Sequence, residues 1–95
     1  MLIEKVGEPA ALELLAEECV ELAHAALKLA RAERKENPTP TTVAACQAKM
    51  IEEMADVRIC LDEVQTLDWF DPEDLVDAEI GKKDRMAKRM KGVLC

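Results

Sequence analysis

The sequence predicts an all-α fold in which two long antiparallel helices are followed by a third, shorter helix. Aromatic residues are nearly absent from the 95-residue chain, with Trp69 and Phe70 as its only members, and hydrophobic residues make up 49% of it. A composition rich in Ala, Leu, Val and Met favours helices and offers little to build a sheet. Apolar residues also recur at helical spacing over two long stretches.

The first helix is predicted from Pro9 to about Glu36. Gly7 and Pro9 mark its boundary, because a proline in the first helical turn lacks only a donor that the helix does not use. At about 100° per residue, one continuous apolar face contains Leu14, Leu15, Leu22, Ala25, Ala26 and Leu29.

The second helix is predicted from about Thr41 to Leu67. The prolines of segment 37–42 stop the first helix, since the residue before each proline is pushed out of helical geometry, and a threonine can cap the second helix. The apolar face comprises Val43, Cys46, Met50, Met54, Val57, Cys60, Leu61 and Val64. A second apolar line of Ile51, Ala55 and Ile59 has no obvious partner within the chain and is interpreted as a subunit contact.

The third helix is predicted from Pro72, with Asp71 as its cap, to about Met90. Its apolar face contains Leu75, Val76, Ile80, Met86, Ala87 and Met90. Lys82, Arg85 and Arg89 form a column of cations along one border of that face. Favourable placement near a helix C-terminus is one interpretation of these cations, and a phosphate-binding site is the other.

Carboxylates interrupt the apolar faces of both long helices. Glu18 lies within the first face with Glu21 at its edge, and Glu53 lies within the second with Asp56 on its border. An ionised carboxylate on an apolar face is costly unless it is paired or binds a metal. If the two faces meet, these four converge with no basic residue among them, which favours a divalent cation, Mg²⁺ or Mn²⁺. Solvated surface acids remain the alternative.

The acidic pattern resembles a known family. Glu-Glu-x-x-Glu at 17–21, a spacer, and Glu-x-x-Asp at 53–56 are similar to the MazG-like all-α nucleoside triphosphate pyrophosphohydrolases, over nearly the whole chain. Further matches to the compact, phage-type branch are Gly7, the run Ala16–Leu22, the run Ile51–Val57 and the late pattern Lys82-x-x-Arg85-Met86-x-x-Arg89-Met90.

This resemblance implies hydrolysis of a nucleoside triphosphate between its α and β phosphates, with Mg²⁺ held by Glu18, Glu21, Glu53 and Asp56. Glu17, which lies on the polar side of the first helix, or Glu21 would take the proton from water. Lys82 and Arg85 match the family's late basic residues, and with Arg89 they would offset charge on the leaving pyrophosphate. His24 completes half of a di-iron motif with Glu21, but no second half exists, so a surface position is expected.

The net charge of −7 argues against a nucleic-acid polymer as partner. Segment 82–91 holds six of the thirteen basic residues against one acid, a net charge of +5 that leaves −12 elsewhere. An acidic body with a basic last helix suits a metal and a small polyphosphate. No apolar run approaches the roughly 18 residues of a membrane span, and the four cysteines form no Cys-x-x-Cys pair. A cytoplasmic protein with reduced thiols is expected, with Cys19 and Cys60 as packing residues.

The size of the chain favours assembly. A single domain spanning 1–95 buries only about 60 to 65% of its unfolded surface, and two helices of roughly 40 Å exceed what a compact monomer covers. A homodimer or a dimer of dimers that completes a helical bundle is therefore expected. Two other functions remain open: an enzyme resembling the phosphoribosyl-ATP pyrophosphohydrolases, and a non-catalytic oligomer that binds metal or nucleotide.

Overall fold

The computed structural model describes residues 2–36 and 42–94, and these form three helices and no strand. The helices are α1 (Leu2–Arg34), α2 (Val43–Val64) and α3 (Pro72–Leu94). The predicted all-α fold with three helices is confirmed in these residues, but α3, with 23 residues against 22 in α2, is not the shorter helix that the sequence predicted. No helix among them is both long enough and apolar enough to cross a membrane.

α1 begins earlier than predicted and is interrupted at Gly7. Residues 2–6 are already helical, so the predicted start at Pro9 is wrong, but the boundary at Gly7 is real: its φ of 83° and ψ of 165° are not helical. That left-handed φ is unfavourable for residues with a Cβ. At the other end Lys35 has a φ of 58°. Its N–H bonds Ala32 O at 3.3 Å and that of Glu36 bonds Arg31 O at 3.2 Å, the Schellman pattern that ends a helix.

α2 begins after Thr42, whose Oγ1 accepts a hydrogen bond from the Ala45 N–H at 3.1 Å. The predicted start at Thr41 lies outside the described residues. The predicted end at Leu67 is three residues too late, because the N–H groups of Thr66 and Leu67 bond to carbonyls three residues back rather than four. The Thr66 hydroxyl also donates to Glu63 O at 2.7 Å, and this tight turn leads the chain out of the helix.

α1 and α2 pack as an antiparallel pair. Residues early in α1, such as Ala11 and Glu18, lie beside Asp56 and Cys60 late in α2, while Ala25 in α1 lies beside Glu53 nearer the start of α2. The core between them is thin, and its buried hydrophobic members are Ala11, Ala25, Cys46, Val57, Cys60 and Val64. The predicted α2 face is therefore buried along its centre, whereas Val43, Met54 and Leu61 on its margins are exposed.

α3 stands apart from the other two helices. Asp71 caps it as predicted, since Oδ1 accepts from the Glu73 N–H at 3.0 Å. The helix continues past the predicted end at Met90 to Leu94, but its backbone approaches neither α1 nor α2. The radius of gyration is 17.1 Å, against about 12 Å for a compact domain of this length. Within the described residues α3 therefore does not close a bundle with α1 and α2.

Two apolar surfaces are uncovered by the described part of the chain. The first is the face of α3 that contains Leu75, Val76, Ile80, Met86 and Met90, all of them exposed. The second is the outer side of α2, where Ile51 is 67% and Ile59 is 61% exposed. At the corner before α3, Trp69 is also exposed, and its Nε1–H donates to Glu8 Oε1 at 2.8 Å. The Trp69 side chain therefore ties the corner to the start of α1 and does not cap the core.

Candidate functional site

Three of the four predicted metal ligands meet at the α1–α2 interface. Glu18 from α1 and Glu53 and Asp56 from α2 each offer one carboxylate oxygen, and the three oxygens lie within 4.8 Å of one another. The spacing of Glu53 and Asp56 places both on one side of α2, and the antiparallel packing brings α1 opposite them. We call these three residues the carboxylate cluster.

Glu53 is the buried member of the cluster. It is 3% exposed, among otherwise apolar buried residues. Its Oε1 accepts from Lys49, whereas its Oε2 is buried without a hydrogen-bond partner. A buried carboxylate oxygen without a partner is costly. A divalent cation bound by the cluster would satisfy it, since carboxylate oxygens are hard ligands of the kind that Mg²⁺ prefers.

A basic residue does approach the cluster, so the prediction that the acids converge without one is wrong. Lys49 lies four residues before Glu53, and its Nζ is 2.9 Å from Glu53 Oε1 and 3.8 Å from Glu52 Oε2. Residues four apart are neighbours on a helix, and the long lysine stem reaches the buried carboxylate from the surface. The hydrogen bond to Glu53, followed by the charge of that carboxylate, raises the pKa of Lys49.

The surroundings of Glu18 disfavour its ionised form. It is half-buried, and its pKa is raised, first by burial and then by the charges of Asp56, Glu21, Glu53 and Glu17. Both causes disfavour the ionised form. The ionised form of Glu18 is therefore unfavourable unless a cation is bound at the cluster.

Two clefts flank the carboxylate cluster. The basic cleft, of about 380 Å³, contains Glu53 together with Glu21, His24, Ala25, Lys28, Arg31 and Lys49. The apolar cleft, of about 240 Å³, contains Glu18 and Asp56 together with Ala11, Leu14, Ile59, Cys60 and Glu63. The cluster thus separates a surface rich in cations from a mainly apolar one.

The two candidate proton acceptors lie outside the cluster. Glu21 is exposed and lines the basic cleft, beside the cluster rather than within it. Glu17 is exposed and lines a separate groove with Val6, Ala10 and Leu14. His24 is exposed, as expected, but it also lines the basic cleft.

The cations predicted to bind phosphate do not reach the cluster within one chain. Lys82, Arg85 and Arg89 are exposed on α3, whose backbone approaches neither α1 nor α2. Lys28, Arg31 and Lys49 occupy the basic cleft instead, and sequence reasoning missed them. A signal for two of them existed: Lys28 and Arg31 follow Glu21 and His24 at spacings of three and four, which place all four on one helical face.

The described cysteines Cys19, Cys46 and Cys60 form no disulfide. Cys60 is a packing residue as predicted, and burial, with the charges of Glu18 and Asp56 next, raises the pKa of its thiol. It is therefore a protonated thiol and not an activated nucleophile. Cys19 is exposed, so its prediction as a packing residue is wrong.

Comparison of the chain with protein-family models, with curated proteins and with solved structures finds no match.

Proposed function

We propose that this chain is a MazG-like, Mg²⁺-dependent pyrophosphohydrolase that cleaves a nucleoside triphosphate into a nucleoside monophosphate and pyrophosphate. The observation that carries the proposal is the carboxylate cluster, with oxygens of Glu18, Glu53 and Asp56 within 4.8 Å and a buried Glu53 Oε2 that has no hydrogen-bond partner. The order of the acidic residues along the sequence supports the same reaction by its resemblance to this family.

The donor set suits Mg²⁺, with Mn²⁺ as a substitute. Glu18, Glu53 and Asp56 would hold the ion, and Glu21 is the nearest candidate for a further ligand. Bound Mg²⁺ offsets the charge of the triphosphate and makes the α phosphorus easier to attack.

The reaction requires that a side chain of the protein accept one proton from the attacking water. The oxygen of a water molecule bonds to the α phosphorus, the bond from that phosphorus to the oxygen bridging to the β phosphate breaks, and the bridging oxygen leaves with pyrophosphate. A carboxylate outside the cluster, Glu17 or Glu21, accepts the proton from water and returns it to solvent. Cations beside the leaving group stabilise the charge that develops there.

We further propose that a second copy of this chain completes the bundle, as a homodimer or a dimer of dimers. The uncovered faces of α2 and α3 are apolar, and the basic end of α3 opposes the acidic remainder of the chain in charge. Docking of one copy's α3 near another copy's carboxylate cluster would bring Lys82, Arg85 and Arg89 within reach of the phosphates. Cysteines without a disulfide among the described residues fit a reducing cytoplasm.

The decisive experiment is pyrophosphate release from a panel of canonical, deoxy and modified nucleoside triphosphates and phosphoribosyl-ATP, with Mg²⁺ and with EDTA. Glu53→Gln keeps the shape of the side chain but removes the ligand charge, so turnover should fall by at least about 100-fold, more than the loss of a residue that merely orients a ligand. Asp62→Asn is the matched control, because it removes one exposed carboxylate from the same helix outside both clefts.

The outcomes separate the possible functions. Metal-dependent release that is lost only in Glu53→Gln supports the proposal, and the preferred member of the panel identifies the substrate. Binding of Mg²⁺ and nucleotide by a folded wild-type chain without turnover refutes the hydrolase and favours a non-catalytic oligomer.

A further inference from the structure

The basic cleft contains cations that the fold itself does not use. Lys28 and Arg31 are exposed on α1, and neither side chain makes an ion pair or hydrogen bond with any residue that the structure describes. Other cations do pair, as Arg34 does with Glu36 at 3.8 Å and Lys88 with Asp84 at 3.2 Å. Unpaired cations that converge from one helix on a concave surface are suited to an anion.

The position of this cleft relative to the carboxylate cluster is specific. Glu53 belongs to both the cluster and the basic cleft, so the cations of the basic cleft lie directly beside the cluster. Glu18 and Asp56 belong to both the cluster and the apolar cleft. A molecule centred on the cluster therefore has a cation-rich cleft on one side and a mainly apolar cleft on the other.

The charge of the basic cleft depends on the cluster. Lys28, Arg31 and Lys49 are there opposed by Glu21 and Glu53. A divalent cation on the cluster would offset the negative charge of Glu53, whose Oε1 now lies 2.9 Å from Lys49 Nζ. The cleft then becomes clearly positive, which couples binding of a polyphosphate to binding of the metal.

Building on the proposed function, we infer that the substrate lies across the carboxylate cluster in one direction. Its β and γ phosphates occupy the basic cleft against Lys28, Arg31 and Lys49, and its nucleoside extends toward the apolar cleft lined by Ala11, Leu14 and Ile59. Lys28 and Arg31 are thus binding residues for the leaving pyrophosphate that lie within the same chain as the carboxylate cluster.

This direction also separates the two candidate proton acceptors. Displacement at phosphorus is roughly in line, so water attacks from the side opposite the leaving pyrophosphate. Glu21 lines the cleft that holds the leaving group, whereas Glu17 lies in the groove that shares Leu14 with the apolar cleft. Glu17 is therefore placed on the side from which water attacks, and Glu21 on the side of the metal and the leaving group.

The test uses the two products as separate probes of the two clefts. Calorimetry with Mg²⁺ measures the Kd of inorganic pyrophosphate and of the nucleoside monophosphate for the wild-type chain and for Lys28→Gln/Arg31→Gln. The matched control is Lys5→Gln/Arg34→Gln, which removes the same charges from the same helix at positions that line neither cleft. A Leu14→Phe variant narrows the apolar cleft.

The inference predicts that the double variant and Leu14→Phe each lose affinity for a different product. Lys28→Gln/Arg31→Gln should bind pyrophosphate about tenfold or more weakly, because charge-assisted contacts to phosphate are lost, while its affinity for the monophosphate stays near that of the control. Leu14→Phe should weaken binding of the monophosphate and leave the Kd of pyrophosphate unchanged. All three variants are compared by circular dichroism, and the exposed positions of Lys28 and Arg31 make their replacement compatible with folding.

Equal pyrophosphate affinity in Lys28→Gln/Arg31→Gln and its control would overturn the inference, even if nucleotides are hydrolysed. The converse result is a wild-type chain that turns over no nucleotide, together with a Lys28→Gln/Arg31→Gln variant that selectively loses pyrophosphate binding. That result would refute the hydrolase and still support an anion site in the basic cleft. The failure of one proposal is therefore distinguishable from the failure of the other.

Discussion

Lys49 Nζ lies 2.9 Å from Glu53 Oε1, while Glu53 Oε2 is buried with no hydrogen-bond partner. One oxygen of the buried carboxylate is thus held by a surface lysine from the same helix, in a residue that also groups with the acids Glu18 and Asp56. Lys49 acts as a counter-ion for a group that would otherwise be buried with its charge uncompensated.

Replacement of Lys49 by methionine should destabilise the metal-free protein and increase its response to Mg²⁺. The variant keeps the apolar stem but removes the charge that satisfies Glu53, so the melting temperature in EDTA should fall. Added Mg²⁺ should then raise it by more than in the wild-type chain, since the ion no longer competes with a lysine. Thermal melts followed by circular dichroism, with and without Mg²⁺, measure both effects.

The control for this experiment is Lys88→Met, whose lysine pairs with the exposed Asp84 on α3. An exposed pair of this kind contributes little to stability, so its melting temperature should be nearly unchanged. A Mg²⁺ response that is identical in Lys49→Met and wild type would contradict a role for Lys49 as counter-ion at the cluster.

The raised pKa of Glu18 predicts that acidification stabilises the metal-free protein. Burial and the neighbouring acids raise its pKa in the folded state above the ordinary glutamate value of 4.5. The folded chain therefore binds the proton more tightly than the unfolded chain, and its stability rises as pH falls through the folded-state pKa toward 4.5. Below that value both states are protonated and the gain no longer grows.

Glu18→Gln isolates this effect, because other groups titrate over the same range. In EDTA at pH 7 the variant should melt at a higher temperature than wild type, and the difference should shrink as the pH approaches 4.5. A difference that is constant from pH 7 to pH 4.5 would mean that Glu18 titrates as an ordinary exposed acid. If the cluster binds Mg²⁺ as proposed, the order should reverse at pH 7 when Mg²⁺ is added, since only the wild-type chain keeps the Glu18 carboxylate.

The uncovered apolar faces predict that the chain self-associates. Ile80→Glu on α3 and Ile51→Glu on α2 each place a charge on one face, and either change should shift the molecular mass in sedimentation equilibrium toward that of the monomer. Lys88→Glu also alters charge on α3, but Lys88 is exposed on the opposite side of the helix from the apolar face and serves as the control. A wild-type chain that remains monomeric at high protein concentration would refute assembly through these faces.

The interruption of α1 at Gly7 predicts that replacing this glycine by alanine destabilises the protein. Alanine normally favours helices, yet at a φ of 83° its Cβ is unfavourable by about 1 kcal/mol or more. Nothing lies within 4 Å of the added Cβ, so the cost is conformational and not a clash. Gly7→Ala should lower the free energy of unfolding in urea, whereas Gly92→Ala, in helical backbone, should not.

Much of the architecture is local and could be predicted from the residues alone. Helical periodicity predicted α1, α2 and α3, and Asp71 and a threonine near position 42 were correctly expected as caps, because capping depends on a few adjacent backbone groups. The convergence of Glu18, Glu53 and Asp56 was also predicted. It needs only two periodic faces that pack together, which is a property of spacing.

Contacts that depend on how helices and long side chains are arranged in space could not be predicted in this way. The reach of Lys49 to Glu53 depends on a rotamer. The grouping of Lys28, Arg31 and Lys49 requires the antiparallel register of two helices. The separation of Lys82, Arg85 and Arg89 from the carboxylates follows from the direction in which α3 leaves the corner at Trp69. Periodicity describes which residues share a face, but only tertiary packing determines what that face meets.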